Sequence, residues 1–285
     1  MRCRVILEPQ ESLNTIPINY NSAVAQFVYE LLDPDRAFDS HVSSSTPNEG
    51  ILYYTFSNLY IPEVRQVGRL LEFNKVHIEL MLSLLVEPWQ EKEVLERMRS
   101  VTHFDAQALG LRDTDITSAS LRVVAIDVIP EITRFATRCK FRMLSPLVAT
   151  SAKQAHYHSE EFSEAIREAL IAKYTRWKGK PPVDTRFSFT LDDGYVQRRR
   201  GRISKLVTFN EMTEDERRIK ALISPFECEG NPELIWLGYV AGFGEKNVLG
   251  FGCTEPISES ARHERTGLQT ERSAIPKLMA MHTGS

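Results

Sequence analysis

What most constrains the fold is a change of hydrophobic period that runs twice through the chain in the same order. Residues 3 to 8 alternate, with Cys3, Val5 and Leu7 on one side and Arg4, Ile6 and Glu8 on the other, which is the period of a half-buried strand. Then Val24, Phe27, Val28, Leu31 and Leu32 recur at helical spacing and mark an amphipathic helix, with Asn21 as its expected N-cap. "LYYTFSNLY" at 52–60 is rich in aromatic and β-branched residues and reads as a strand. Val76, Ile78, Leu80, Leu82 and Leu84 then share one face of the next strand. Pro88 suits the first turn of a helix over 88–100, and "SLRVVAIDV" at 120–128 is a further strand.

The second round begins with a strand from Lys140. A helix follows, capped by Ser159, with Phe162, Ile166, Leu170, Tyr174 and Trp177 at helical spacing. "RFSFTL" and "ISKLVTF" read as strands, with a further strand at "ALISPF". Asn231 and Pro232 open a helix that runs to about Ala241, and "VLGFGCTE" reads as the last strand. Both halves therefore follow the order β-α-β-β-α-β, so the expected class is α+β with two tandem ferredoxin-like domains. The expected boundaries are 1–132, 133–256 and a tail over 257–285 that lacks a sustained period and reads as flexible.

Composition removes several classes of function. No apolar run of about 18 residues exists, so no transmembrane helix is expected. "MRCRVILEPQ" lacks a signal-peptide core. Cys3, Cys139, Cys228 and Cys253 form no CxxC pair, which argues against a zinc site and a disulfide scaffold and points to a reducing, cytoplasmic setting. His156 and His158 have metal-like spacing but no adequate ligand set, and no metal or cofactor is expected. The net charge of −3 gives no hint of a polyanion partner, yet "RRRGRISK" at 198–205 places five basic residues in eight positions.

The segment "GYVAGFGEKNVLGFG" at 238–252 holds five glycines in fifteen positions. It is not a Walker loop, because no Gly-Lys-Ser/Thr occurs, and Asn247 stands where the dinucleotide fingerprint needs its third glycine. Both of those motifs leave a strand and open a helix, whereas this stretch leaves a helix. A helix C-cap at Gly242 accounts for one glycine. Gly244, Gly250 and Gly252 go beyond it, and glycines allow another backbone to come close. The expected occupant is an extended polyanion, met by Lys246 and by backbone N–H groups.

"GFGEKNVLGFG" at 242–252 resembles the signature loop of the CRISPR repeat-processing endoribonucleases of the RAMP superfamily. The likeness spans about residues 1 to 255, since the two β-α-β-β-α-β units also fit that family. It implies metal-independent cleavage of CRISPR precursor RNA within its repeats. A ribose 2′-hydroxyl attacks the adjacent phosphate, leaving a 2′,3′-cyclic phosphate and a 5′-hydroxyl. Such chemistry needs a proton acceptor, a proton donor and stabilisation of the phosphorane charge.

By this resemblance Tyr29 and His41 fall where the family places its catalytic tyrosine and histidine. Tyr29 sits one residue past Val28, about 100° from the centre of the apolar face, so it is expected to project off the core side. His41 has the chemistry of a general acid or base. The family's lysine has no counterpart: no Lys follows His41 until Lys75. Arg36, Ser43, Ser44, Ser45 and Thr46 are the polar residues nearby. The implied RNA contacts are Gly242, Gly244, Lys246, Asn247, Gly250 and Gly252, with Arg198, Arg199, Arg200, Arg202 and Lys205 tracking phosphates from a hairpin. The implied partners are repeat RNA, subunits of a CRISPR effector complex and a second copy of the chain, with no membrane. The alternatives are a non-cleaving RNA-binding subunit, favoured by the missing lysine, and an unrelated nucleotide-binding enzyme.

Overall fold

A computed structural model describes residues 1–33, 51–105, 120–149, 160–211 and 214–257. The first half is built on β1 (Arg2–Pro9), α1 (Asn21–Leu32), β3 (Ile51–Phe56), β6 (Ile78–Val86), α2 (Glu91–Ser100) and β8 (Ser120–Ile129). Its antiparallel sheet runs β3-β6-β1-β8, and a short strand β7 (His103–Asp105) extends it beyond β8. The first, second, third and fourth strands of the unit are β1, β3, β6 and β8, so the sheet order is 4-1-3-2. That is the ferredoxin-like arrangement, with the first and third strands in the middle.

Strand alternation produces this layer directly. Cys3, Val5 and Leu7 of β1 and Ile78, Leu80, Leu82 and Leu84 of β6 are fully buried. They share a core with Val24, Phe27, Val28, Leu31 and Leu32 of α1 and with Val94 and Met98 of α2. A second small sheet, β2 (Leu13–Pro17), β5 (Leu70–Asn74) and β4 (Arg65–Val67), packs Ile16 and Phe73 into the same core. These strands, and β7, are too short and mixed in pattern to stand out in the sequence; β4 is three exposed residues.

The second half repeats the plan with β9 (Arg138–Met143), α3 (Glu160–Lys178), β10 (Phe187–Leu191), β13 (Phe226–Gly230), α5 (Pro232–Ala241) and β14 (Thr254–Pro256). Its sheet order, β10-β13-β9-β14, is again 4-1-3-2 read from β14. Between β10 and β13 the chain inserts a short helix, α4 (Asp193–Arg198), and a hairpin of β11 (Ser204–Phe209) and β12 (Arg217–Leu222). In the core beneath, Phe226 stacks with Phe141 and Phe189, and Phe243 packs edge-on to Phe226.

Three local expectations are corrected. Tyr20, not Asn21, is the N-cap of α1, without a side-chain cap bond; Tyr20 is fixed there by burial, its hydroxyl accepting from Leu59 N at 3.2 Å. "ALISPF" is not one strand: Ala221 and Leu222 end β12, Phe226 opens β13, and between them Pro225 supplies no N–H for a ladder. "VLGFGCTE" is mostly not extended: Asn247–Leu249 form a 3-10 turn, Gly250 and Gly252 have φ of 81° and 75°, and only Thr254–Pro256 pair as strand. The helix-capping assignments at Asn231 and Pro232 stand, with Asn231 Oδ1 accepting from Glu233 N. The Ser159 cap and the tail beyond Ile257 lie outside the described residues.

The two halves meet along the end of α5. Helix C-termini carry carbonyls without intrahelical partners, and here the first half supplies partners. Arg2 of β1 donates to Tyr239 O at 3.4 Å and to Thr254 O at 2.9 Å. Ser83 of β6 donates to Tyr239 O and Val240 O, and Thr55 of β3 donates to Phe251 O at 2.8 Å. The Arg2 guanidinium also lies 4.2 Å from the centroid of the Tyr239 ring. Replacing Arg2, which is 2% exposed, by Met leaves two buried carbonyls without this donor. Urea unfolding of Arg2→Met should show a loss of about 2–4 kcal/mol; a loss below about 1 kcal/mol would contradict this account of the seam.

Candidate functional site around the glycine-rich loop

Residues 242–252 leave α5 through Gly242 at φ 88° and curl back on themselves. Phe243 N donates to Gly252 O and Glu245 N to Val148 O, while Leu249 N and Gly250 N close the 3-10 turn onto Lys246 O and Asn247 O. Asn247, 7% exposed, fills the centre: its Nδ2 donates to Phe243 O at 3.1 Å and to Phe251 O at 2.9 Å. The glycines are set by this packing. A Cβ on Gly252 would land on Phe243 O, one on Gly244 on Val148 O, and one on Gly250 on the Phe56 ring.

The close approach expected at these glycines is therefore made by the protein's own backbone and side chains. The N–H groups of Phe243, Glu245, Leu249, Gly250 and Gly252 are also spent on the protein's own carbonyls, contrary to the expectation that they face a ligand. Those of Gly244, Lys246, Asn247, Val248 and Phe251 have no partner among the described residues. Lys246 is half-buried and left-handed, at φ 57°.

A residue that the sequence did not single out holds the curl together. Lys173 projects from the middle of α3, is 8% exposed, and its Nζ donates to Gly242 O at 2.5 Å, Gly244 O at 2.9 Å and Asn247 Oδ1 at 2.6 Å. Burial pulls this ammonium from its ordinary range down to about 7, and the charge of Glu245 acts against that shift. Three converging acceptors also favour the protonated form. The available signal was a lysine on the buried stripe of α3, between Leu170 and Tyr174, where an unpaired charge would be costly.

Around this loop the structure gathers three of the elements expected to form the site. Val248, Leu249 and Phe251 join the core of α1. The β11–β12 hairpin, although inserted in the second half, also packs on the first: Val207, Phe209 and Ala221 enter the same core, the Phe209 and Phe251 rings lie 5.9 Å apart, and Asn210 N donates to Ser22 Oγ. Helix α1 is thus covered on more than its sheet-facing stripe, which explains the correction at Tyr29. This residue is 3% exposed rather than projecting off the core side. It lies close enough to Tyr54 for its charge to add to the upward push that burial gives the Tyr54 phenol. His41, Arg36, Ser43, Ser44, Ser45 and Thr46, and the His156/His158 pair, fall outside the described residues.

The basic run forms the end of α4 and the turn into β11 rather than a hairpin tip. Arg198, Arg199, Arg200 and Arg202 are exposed, and Arg199 stacks 5.5 Å from the Tyr195 ring centroid. Lys205 is half-buried, and burial lowers its ammonium from the ordinary range. The turn closes on the hairpin through Ile223 N to Ile203 O. Leu147 exchanges hydrogen bonds with Leu222 at the end of β12, and the next residue, Val148, accepts from Glu245 N. One short segment therefore stitches the basic turn to the glycine loop. The sequence reading missed Arg217, Arg218 and Lys220 of β12, which are exposed. Thr208 faces Arg218 and Leu206 faces Lys220 across the hairpin, so Arg218 and Lys220 extend the basic surface on its outer side.

Two 4-1-3-2 units thus share a seam, and a glycine-rich loop follows the last helix. Residues 129–256 match the family model for the C-terminal part of CRISPR associated protein Cas6. The chain carries this match over a little under half of its length. It is 22% identical over 267 residues to a protein of Pyrococcus horikoshii named as CRISPR-associated endoribonuclease-like, Cas6nc, covering 90% of this chain and 100% of that one. A Cas6 counterpart from Pyrococcus furiosus is 22% identical over 273 residues, covering 91% and 100%. Among solved structures, a Cas6-related protein from Pyrococcus furiosus superposes with a TM-score of 0.68 at 22% identity, covering 91% of this chain and 99% of the other. A RAMP protein described as binding different RNA substrates gives 0.67 at 22% identity, covering 90% and 100%. No helix among the described residues is long and apolar enough to cross a membrane.

Two substitutions probe the loop. Gly252→Ala adds a methyl against Phe243 O at a positive φ and should cost about 2–4 kcal/mol in denaturant unfolding. Lys173→Met removes three donations but also the burial cost of the ammonium, so a smaller loss of about 1–3 kcal/mol is expected. The pH dependence has a fixed sign. The folded Lys173 titrates near 7, below its unfolded range, so between about pH 7 and 10 the unfolded chain holds a proton that the folded chain has released. Wild-type stability relative to Lys173→Met should rise across that window and stay flat below it. Parallel melting curves of the two proteins at pH 6, 7, 8 and 9 check this.

Proposed function

We propose that this protein binds CRISPR precursor RNA at its repeats and cuts it without a metal, by attack of a ribose 2′-hydroxyl on the adjacent phosphate. The observation that supports the reading best is the convergence of α1, the glycine loop and the basic hairpin on one region. The hairpin meets α1 near its start, where Asn210 N donates to Ser22 Oγ. The relatives named as endoribonuclease-like match over about nine-tenths of the chain and agree with it.

In this reading His41 is the general acid or base, since imidazole exchanges protons near neutral pH. Tyr29, buried beside Tyr54, holds the end of α1 in place; contact with RNA would require its hydroxyl to be uncovered. Lys246 meets phosphate together with the N–H groups of Gly244 and Lys246. Arg198, Arg199, Arg200, Arg202 and Lys205, joined by Arg218 and Lys220, track the RNA backbone and fix its register. Gly242, Gly250, Gly252 and Asn247 serve RNA indirectly, by building the curl that presents Lys246.

A second reading is a non-cleaving subunit that binds repeat RNA within an effector complex. The burial of Tyr29 and the absence of a lysine between His41 and Lys75 favour it.

One assay separates the two. Repeat RNA from the host's own array, incubated with the protein in EDTA, should be cut once per repeat to give a 2′,3′-cyclic phosphate, and a 2′-deoxy substitution at the scissile nucleotide should block cutting. Uncut RNA that is nonetheless tightly bound supports the second reading, and cutting that requires added metal rules out the first. His41→Ala should keep RNA affinity within about twofold and lose at least about a hundredfold in rate. For the basic surface, Arg218→Ala with Lys220→Ala should weaken binding to repeat and unrelated RNA alike and lower the salt slope by about one to two. An unchanged slope would remove the hairpin's outer face from the interface.

A further inference from the structure

Lys173 is only 8% exposed, yet its three bonds determine how the glycine loop is aimed. In a trans peptide the C=O and N–H point in opposite directions, so a peptide gripped at its oxygen has its N–H direction fixed as well. The peptide between Gly242 and Phe243 is gripped at both ends, by Lys173 Nζ on Gly242 O and by Gly252 O on Phe243 N. The peptide between Gly244 and Glu245 is gripped in the same way, by Lys173 Nζ and by Val148 O. The peptide between them is held at Phe243 O by Asn247 Nδ2, and Asn247 is itself oriented by Lys173 through its Oδ1.

With three successive carbonyls turned inward, the N–H of Gly244 is directed away from the centre of the curl. Lys246 follows two residues later in a left-handed conformation that a non-glycine residue adopts at a cost of about 1 kcal/mol and keeps only when its surroundings impose it. We propose that Lys173 is the positioning residue of the RNA-contacting edge: by gathering Gly242 O, Gly244 O and Asn247 Oδ1 it fixes the direction of the Gly244 N–H and of Lys246 toward a phosphate.

This rests on the reading that the loop contacts RNA, and the test separates the two. The proteins are full-length wild type, Lys246→Ala, Lys173→Met, the double variant, and Lys173→Gln, a milder change that keeps two N–H donors. The probe is the host's repeat RNA, titrated at several salt concentrations, with thermal melting to confirm folding. Lys246→Ala should weaken binding about fivefold and lower the salt slope by about one. Lys173→Met should reproduce both effects while remaining folded. The double variant should be no worse than Lys173→Met by more than about twofold, because a residue that acts through Lys246 has nothing left to act on. Lys173→Gln should fall between wild type and Lys173→Met.

A folded Lys173→Met or Lys173→Gln with wild-type affinity and slope overturns the proposal while leaving the loop's contact with RNA standing. Independent, multiplying losses in the double variant overturn it too, since they would give Lys173 a general structural role. Wild-type binding by Lys246→Ala overturns both the proposal and the assignment of the loop to the RNA interface.

Discussion

The carbonyls at the end of α5 dominate the architecture. A helix that stops in the interior must find partners for its last oxygens, and this one finds them in three places. Arg2 serves Tyr239 O, Ser83 serves Tyr239 O and Val240 O, and Lys173 serves Gly242 O. Two of the three come from the first half of the chain, so capping this helix and joining the halves are one event. Cations at Arg2 and Lys173 also lie where the helix dipole is negative. The glycine loop follows from the same constraint, because a chain that leaves such a crowded end can turn only through positive φ and without side chains.

Regular alternation and helical spacing were legible where one face meets one core. Cys3, Val5 and Leu7, the Ile78 to Leu84 stripe, and the apolar face of α3 are single-sided elements, and their periods state the architecture. The pattern misled where an element is covered twice. Tyr29 lies off the apolar stripe of α1 by helical geometry, but the loop and the hairpin from the second half cover that helix as well. No local period encodes a contact with residues about two hundred positions away. For the same reason Lys173 looks like an ordinary helical lysine until the loop folds around its ammonium.

The glycines were legible as requiring close approach, but not as to what approaches. Val148 O, Phe243 O and the Phe56 ring occupy the space that a side chain would need. The basic surface was half legible. A run of like charges at 198–205 is visible by density, whereas Arg218 and Lys220 join it only through hairpin pairing, which brings alternate residues of β12 to the outer side.

The seam also carries a consequence for how the chain reaches its native state. Arg2 finds Thr254 across 252 positions, and Thr55 finds Phe251 across 196. Contacts of that span form late, after the entropy of closing very long loops has been met. During synthesis the first half emerges with Arg2, Ser83 and Phe56 still lacking their partners, and they stay so until α5 and the glycine loop leave the ribosome. The first ferredoxin-like unit is therefore an unfinished surface for most of the time the chain is being made. Its completion by the last described strand makes assembly of the glycine loop the closing step of folding, rather than a property of either half.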